Sequence, residues 1–104
     1  VYKGGAFMSN KSSFDKYIEE YRHTPGSVLL DVRTPAEYNE GHVPESVNIP
    51  LDELAYSLDA DPQTRVFVYC RSGSRSASAC LILQNEDFDA INIGGIQDYH
   101  GPLE

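Results

Sequence analysis

The chain has 104 residues, 40% apolar and 23% charged, with two cysteines and a formal net charge of -8 at pH 7. That length allows one domain with one modest core, and no apolar run approaches the ~20 residues of a membrane span. The negative charge argues against nucleic acid and anionic membranes as partners, because both reward positive charge.

The first residues, Val1-Tyr-Lys-Gly-Gly-Ala-Phe-Met8, lack the apolar stretch of a cleavable leader. Val1 in place of methionine leaves room for a processed chain or a piece of a longer protein. Residues 1–5 are expected to be a loose end and 6–9 a short edge strand. Phe14, Tyr17, Ile18 and Tyr21 share one face of a helix. Ser12 or Ser13 is its expected N-cap, with Asp15 in the first turn, and Thr24-Pro25-Gly26 ends it. Residues 27–32 read as a buried strand. Thr34, Pro35 and Glu37 then supply N-cap, N1 proline and capping-box glutamate, with Gly41 as a left-handed terminator. Val47-Asn48-Ile49 is a short strand closed by Pro50, and residues 51–58 a short helix presenting Leu51, Leu54, Ala55 and Leu58. A turn at 60–64 leads to a strand over 65–69. A helix follows from near Ser74, then a polar turn and a last strand at 90–93. Gly94-Gly95 is expected to break that strand, and 96–99 to form one helical turn.

Strands and helices alternate, so the fold class is α/β, with a mostly parallel sheet and helices on both faces. Ligands of such sheets sit beyond the carboxyl ends of the strands. Two chemistry-bearing segments fall there, the Cys70 loop and Asp31–Arg33.

The Cys70 loop carries the functional reading. Val66-Phe-Val-Tyr69 suits a strand covered on both faces, and Ala77, Ala79, Cys80, Leu81 and Leu83 suit a helix packed on a sheet. Between them, Cys70-Arg71-Ser72-Gly73-Ser74-Arg75 places backbone N–H groups at a helix start, an anion-binding concavity. A cysteine at its rim is expected to be acidic and nucleophilic. Arg71 and Arg75 are candidate anion ligands, in a stretch without acids from Gln63 to Asn85. Gly73 permits the turn. Ser72, Ser74 and Ser76 offer hydroxyl donors or caps, and Ser74 is the expected cap. Cys80 reads as a core residue, and no disulfide joins it to Cys70. Reduced thiols fit a cytoplasmic setting. Asp31, Arg33 and Glu37 read as a structural ion network, with Arg33 and Glu37 placed to pair. His42 reads as a structural hydrogen-bonding residue and His23 and His100 as surface residues. No grouping has metal-ligand spacing.

These segments resemble the rhodanese (thiosulfate sulfurtransferase) family over almost the whole chain. Leu30-Asp31-Val32-Arg33 with the helix to Tyr38 is similar to the family's Asp-Val-Arg segment. Tyr38, Gly41-His42-Val43-Pro44 and Val47-Asn48-Ile49-Pro50 are similar to its aromatic-x-x-x-His-aliphatic-Pro signature. Cys70–Ser76 is similar to its active-site loop, and Gly94-Gly95 with Tyr99 to its terminal motif. Glu45-Ser46 stands where the family usually has Gly-Ala, and Tyr99 where it usually has tryptophan. The resemblance implies a single rhodanese domain over 1–104, a three-layer fold, and no metal or organic cofactor. It also implies ping-pong transfer of sulfane sulfur. Cys70 is the nucleophile, Arg71, Ser72, Gly73, Ser74 and Arg75 form the substrate loop, and Asp31 and Arg33 support it. The implied partners are a thiosulfate-like or persulfide donor and a cyanide or thiol acceptor, including a protein thiol.

Two other readings compete. Cysteine-dependent phosphatases and arsenate reductases close their loop with arginine after five intervening residues. Here four residues separate Cys70 from Arg75, a smaller ring suited to sulfur. The other rival is a rhodanese-like module of a larger protein that carries persulfide or only binds a partner. Arg71 and Arg75 are both open as the arginine that faces substrate.

Overall fold

The computed structural model describes residues 11–54 and 58–104. The expected loose end at 1–5, the expected strand at 6–9 and part of the expected helix at 51–58 lie outside the described residues. Strands β1 (Val28–Asp31), β2 (Val47–Asn48), β3 (Arg65–Cys70) and β4 (Asp89–Gly95) form one sheet in the order β2-β1-β3-β4, and every pair is parallel. Parallel neighbours need crossovers. Helix α1 (Ser13–Arg22) precedes β1, α2 (Pro35–Glu40) joins β1 to β2, and α3 (Ser74–Asn85) joins β3 to β4. Single helical turns at Leu51–Glu53 and Ile96–Asp98 complete the described elements.

The central strand β3 shows why the fold has three layers. Its side chains alternate between faces. Val66, Val68 and Cys70 pack with Ala79, Cys80 and Leu83 of α3 and with Leu54. Phe67 and Tyr69 pack on the other face with Phe14 and Ile18 of α1. Residues from Val66 to Cys70 are all 0% exposed, so neither face of β3 meets solvent. Each large apolar side chain so buried contributes about 1.5–3 kcal/mol. Phe14 also meets Tyr69 edge-on, with ring centroids 5.5 Å apart.

Both expected helix starts form, and each carries a capping box. The Asp15 amide donates to Ser12 Oγ at 3.0 Å and the Ser12 amide to Asp15 Oδ2 at 3.1 Å, a reciprocal capping box. Thr34 and Glu37 make the same box around Pro35. Two endings differ from expectation. Gly41 ends α2 with φ 157° and ψ 132°, not in the left-handed helical region. Its carbonyl is drawn to Arg33, which donates at 2.8 Å, so the chain leaves the helix extended. Strand β4 is not broken at Gly94-Gly95 but runs through both. Val68 pairs with Asn92 and Tyr69 with Gly94, so Ile93 is a bulge, and Gly94 accommodates it at φ 105°. The ladder therefore continues to Cys70, which pairs with Gly95.

Candidate active site

Cys70 is the last residue of β3 and points toward the start of α3. The chain turns at once through Arg71, Ser72 and Gly73, with Gly73 at φ 107°. That left-handed turn aims amides back at the sulfur. Gly73 N lies 3.0 Å from Cys70 Sγ and Ser76 N lies 3.4 Å from it. Gly73, not Ser74, is the N-cap of α3, and no side chain of its own caps the helix. The expectation for Ser74 is thus corrected: Ser74 is the first helical residue and is exposed. Ser76 is the third helical residue, the usual beneficiary of an N-cap side chain. Cys70 Sγ takes the place of that missing acceptor, so the helix start and the sulfur satisfy each other.

This environment decides the ionisation of the thiol. Burial alone would push the Cys70 thiol up. Hydrogen bonds from the Ser76 hydroxyl and from the amides of Ser76, Gly73 and Ser72 outweigh burial and hold it below the ordinary value. Cys80 has no such donors, and burial pushes it up to about 11. Both thiols are free.

The floor of the loop is β4. A Cβ at Gly95 would lie 2.1 Å from the Arg71 carbonyl oxygen and 2.6 Å from Ser72 Cα. Only glycine allows this approach. Asn92 joins the two elements: its Nδ2 donates to the Gly73 carbonyl at 3.0 Å, and its Oδ1 accepts from the Gly94 amide at 3.0 Å and the Ser76 hydroxyl at 2.7 Å. Asn92 has no place in the site expected from the sequence, where Ser76 is one of three generic hydroxyls. The available signal was a lone amide side chain in an apolar strand, two residues before Gly94.

The charges sort differently from the expected network. Arg33 pairs with Asp31, Nε at 3.0 Å from both carboxylate oxygens and Nη2 at 2.7 Å from Oδ2. Both residues are buried, and the Arg33 amide also donates to Asp31 Oδ1 at 2.9 Å. Glu37 pairs instead with Arg75, at 2.7 and 3.0 Å. The expected Arg33–Glu37 pair does not form, because Arg33 lies before α2 and its fork is already occupied. The Arg75 hydrogen bonds, helped by those from Thr34 and opposed by burial, lower the Glu37 carboxyl to about 2. Arg71 is exposed and, among the described residues, makes no ion pair. It lines a groove of about 390 Å³ together with Arg33, Glu37, Gln97 and Leu103.

His42 has the structural role expected of it. Its ring stacks on Tyr38 at 3.7 Å, with Nδ1 2.9 Å from the Tyr38 carbonyl. His23 and His100 are exposed. Tyr99 packs on Phe14 in the α1-side cluster, as a scaffold aromatic would. Ser46 is buried against the Tyr69 hydroxyl at 3.0 Å, and Glu45 takes φ 77°, a conformation that favours glycine. Among the described residues no group of three or more His, Cys, Asp or Glu could hold a metal ion, and no helix is long and apolar enough to cross a membrane.

A parallel α/β sheet whose central strand ends in a cysteine inside a turn of amides defines a narrow class of protein. Residues 13–101 match the rhodanese-like domain. A sulfurtransferase from Allochromatium vinosum is 31% identical over 81% of this chain and 79% of its own. The thiosulfate sulfurtransferase PspE of Escherichia coli is 35% identical over 70% of this chain and 74% of its own. The crystal structure of a rhodanese-like domain protein from Staphylococcus aureus superimposes with a TM-score of 0.78 at 26% identity, covering 88% of this chain and 92% of that one. The chain belongs to the rhodanese-like domain family, and its fold is the rhodanese fold.

Proposed function

We propose that this domain is a sulfurtransferase that moves sulfane sulfur through a persulfide on Cys70. The supporting observation is the set of donors at the sulfur: the Gly73 amide at 3.0 Å and the Ser76 amide at 3.4 Å, in a loop closed against Gly95. These donors favour thiolate, the form that attacks. The thiolate attacks the outer sulfur of thiosulfate. The sulfur–sulfur bond of the donor breaks, sulfite leaves with the electron pair, and Cys70 carries a persulfide anion. A thiolate acceptor then attacks the outer persulfide sulfur. Cys70 leaves as thiolate and the acceptor departs as persulfide, and cyanide would leave as thiocyanate. Charge balances in both steps, and loop amides stabilise the anion throughout.

Arg75 is committed to Glu37, so Arg71 is the arginine that faces the donor. It is exposed on the groove and attracts the sulfite end of thiosulfate. Asp31 and Arg33 support the site by holding the segment from β1 to Gly41 in place. The loop, with four residues between Cys70 and Arg75, suits a sulfur atom better than a phosphate group.

Mass spectrometry after incubation with thiosulfate tests this reading. The wild-type domain and Cys80→Ala should each gain one sulfur, Cys70→Ala none, and added cyanide should discharge it as thiocyanate. Sulfur mapped to Cys80, or aryl phosphate hydrolysis at comparable rates, would overturn the assignment.

A further inference from the structure

The Ser76 hydroxyl has one proton and two acceptors. At 2.7 Å from Asn92 Oδ1 it must be the donor, because an amide oxygen has no proton to give. The Asn92 amide cannot be turned the other way round. Its Oδ1 receives the Gly94 N–H and its Nδ2 meets the Gly73 carbonyl, both at 3.0 Å. The same hydroxyl oxygen lies 3.4 Å from Cys70 Sγ. With Cys70 as a thiol all contacts are consistent: S–H donates to Ser76 Oγ, and Ser76 donates to Asn92. With Cys70 as a thiolate they are not, since a hydroxyl lone pair would then face an anion in a buried site. Turning the hydroxyl removes the conflict at modest cost, because Asn92 Oδ1 keeps the Gly94 amide.

We propose that the Ser76 hydroxyl is a two-position donor, resting on Asn92 while Cys70 Sγ is uncharged and turning to the sulfur whenever it carries charge, and that Asn92 sets the resting position. Sγ is uncharged as a thiol and as the inner sulfur of a persulfide. It is charged as the attacking thiolate and as the leaving group when an acceptor takes the outer sulfur. The device therefore supplies its hydrogen bond as charge develops on Sγ, which is where it lowers a barrier. Asn92 does not touch the sulfur. It is a positioning residue that acts through Ser76, and it faces α3 because it pairs in register with Val68, which packs on that helix. The charged groups around the loop are Arg71, Arg75 with its partner Glu37, and the buried Asp31–Arg33 pair. None of them hydrogen-bonds to the side chain of Ser76 or Asn92, although Arg75 feels the charge on Cys70.

The proposal rests on Cys70 being the nucleophile, but its test needs no sulfur donor. The pH dependence of iodoacetamide alkylation of Cys70 is measured in wild type, Ser76→Ala, Asn92→Ala and the double variant. Ser76→Ala should raise the midpoint by about one pH unit, roughly a tenfold loss of thiolate below it. Asn92→Ala removes the competing acceptor and should lower the midpoint, about doubling the thiolate. The double variant should match Ser76→Ala alone. An unmoved midpoint in Ser76→Ala would overturn the switch. So would an upward shift in Asn92→Ala, or a shift of equal size with and without the hydroxyl, which marks Asn92 as loop support only. The infrared S–H band of protonated Cys70, in a Cys80→Ala background, gives a second reading. Ser76→Ala should move it to higher frequency, and an unmoved band counts against the proposal. Failure of sulfur transfer with these shifts intact would sink the proposed function and leave the switch standing.

Discussion

Glu37 holds Arg75 through two hydrogen bonds of 2.7 and 3.0 Å, tying the first turn of α2 to the first turn of α3 across 38 positions of sequence. The carboxylate also receives the Thr34 amide at 3.0 Å, so one side chain caps its own helix and anchors the next. With Arg75 so engaged, Arg71 is the loop arginine that makes no ion pair among the described residues. A contact of this reach also has a pH signature.

The Glu37 carboxyl is lowered from an ordinary 4.5 to about 2 by its bonds to Arg75 and Thr34. A lowered carboxyl adds stability that is fully present above its unfolded value and is lost as pH falls through its folded value. The window therefore runs from about 4.5 down to about 2. Both side chains are partly solvated, at 34% and 26% exposure, so after screening the pair is worth on the order of 1 kcal/mol. Urea denaturation should find Glu37→Gln less stable than wild type at neutral pH by about that amount. The gap should close as the pH is lowered through the window. A gap independent of pH would mean that the carboxylate charge contributes nothing.

Gly95 should tolerate no side chain. A methyl group there meets the Arg71 carbonyl oxygen at 2.1 Å and would push the loop off β4. Displacing reacting groups by about 1 Å costs on the order of 100-fold in rate. Gly95→Ala should therefore lower sulfur transfer by one to two orders of magnitude, with a reduced Tm. Thiosulfate:cyanide turnover and a thermal melt check this. Wild-type turnover in Gly95→Ala would show that the loop is not held by this contact.

Tyr69 and Ser46 should be energetically coupled. The Tyr69 hydroxyl accepts from the Val43 amide at 3.1 Å and donates to Ser46 Oγ at 3.0 Å, while Ser46 donates to the Val43 carbonyl at 2.7 Å. All three residues are buried, and burial raises the Tyr69 phenol well above its ordinary value, so it stays a neutral donor. Tyr69→Phe strands the Val43 amide and should cost about 1–3 kcal/mol. Ser46→Ala strands the phenol proton and should cost about 1 kcal/mol. The double variant should cost less than the sum by about 0.5–1 kcal/mol, since both changes break one network. A double-mutant cycle in urea measures this, and strict additivity would count against a shared network.

Much of the fold was legible in the residues themselves. The helix starts at Ser12 and Thr34, the buried run ending at Cys70 and the parallel alternation all appear where local pattern placed them. So does the opposite fate of Cys70 and Cys80, because a strand-end cysteine before a polar loop and one inside an apolar helix have different near neighbours. These signals lie within a turn or a strand period, and the physics that sets them is equally local.

What local pattern could not decide was choice of partner. Spacing offered Arg33 and Glu37 to each other, but i,i+4 pairing holds only within a helix, and Arg33 precedes α2. Asp31 takes it, and Arg75 arrives from a distant element to take Glu37. Ser74 had the chemistry of a cap, yet the sulfur of Cys70 fills that role because the loop turns left-handed one residue earlier. Asn92 reaches the site because pairing with Val68 of β3 turns its side chain to the α3 face of the sheet. The sequence by itself thus determined the elements, the layers and the position of the Cys70 sulfur, because each depends on residues close along the chain. Only the tertiary structure decided which side chains surround that sulfur, since competition among several possible partners is settled by distances that exist only after packing.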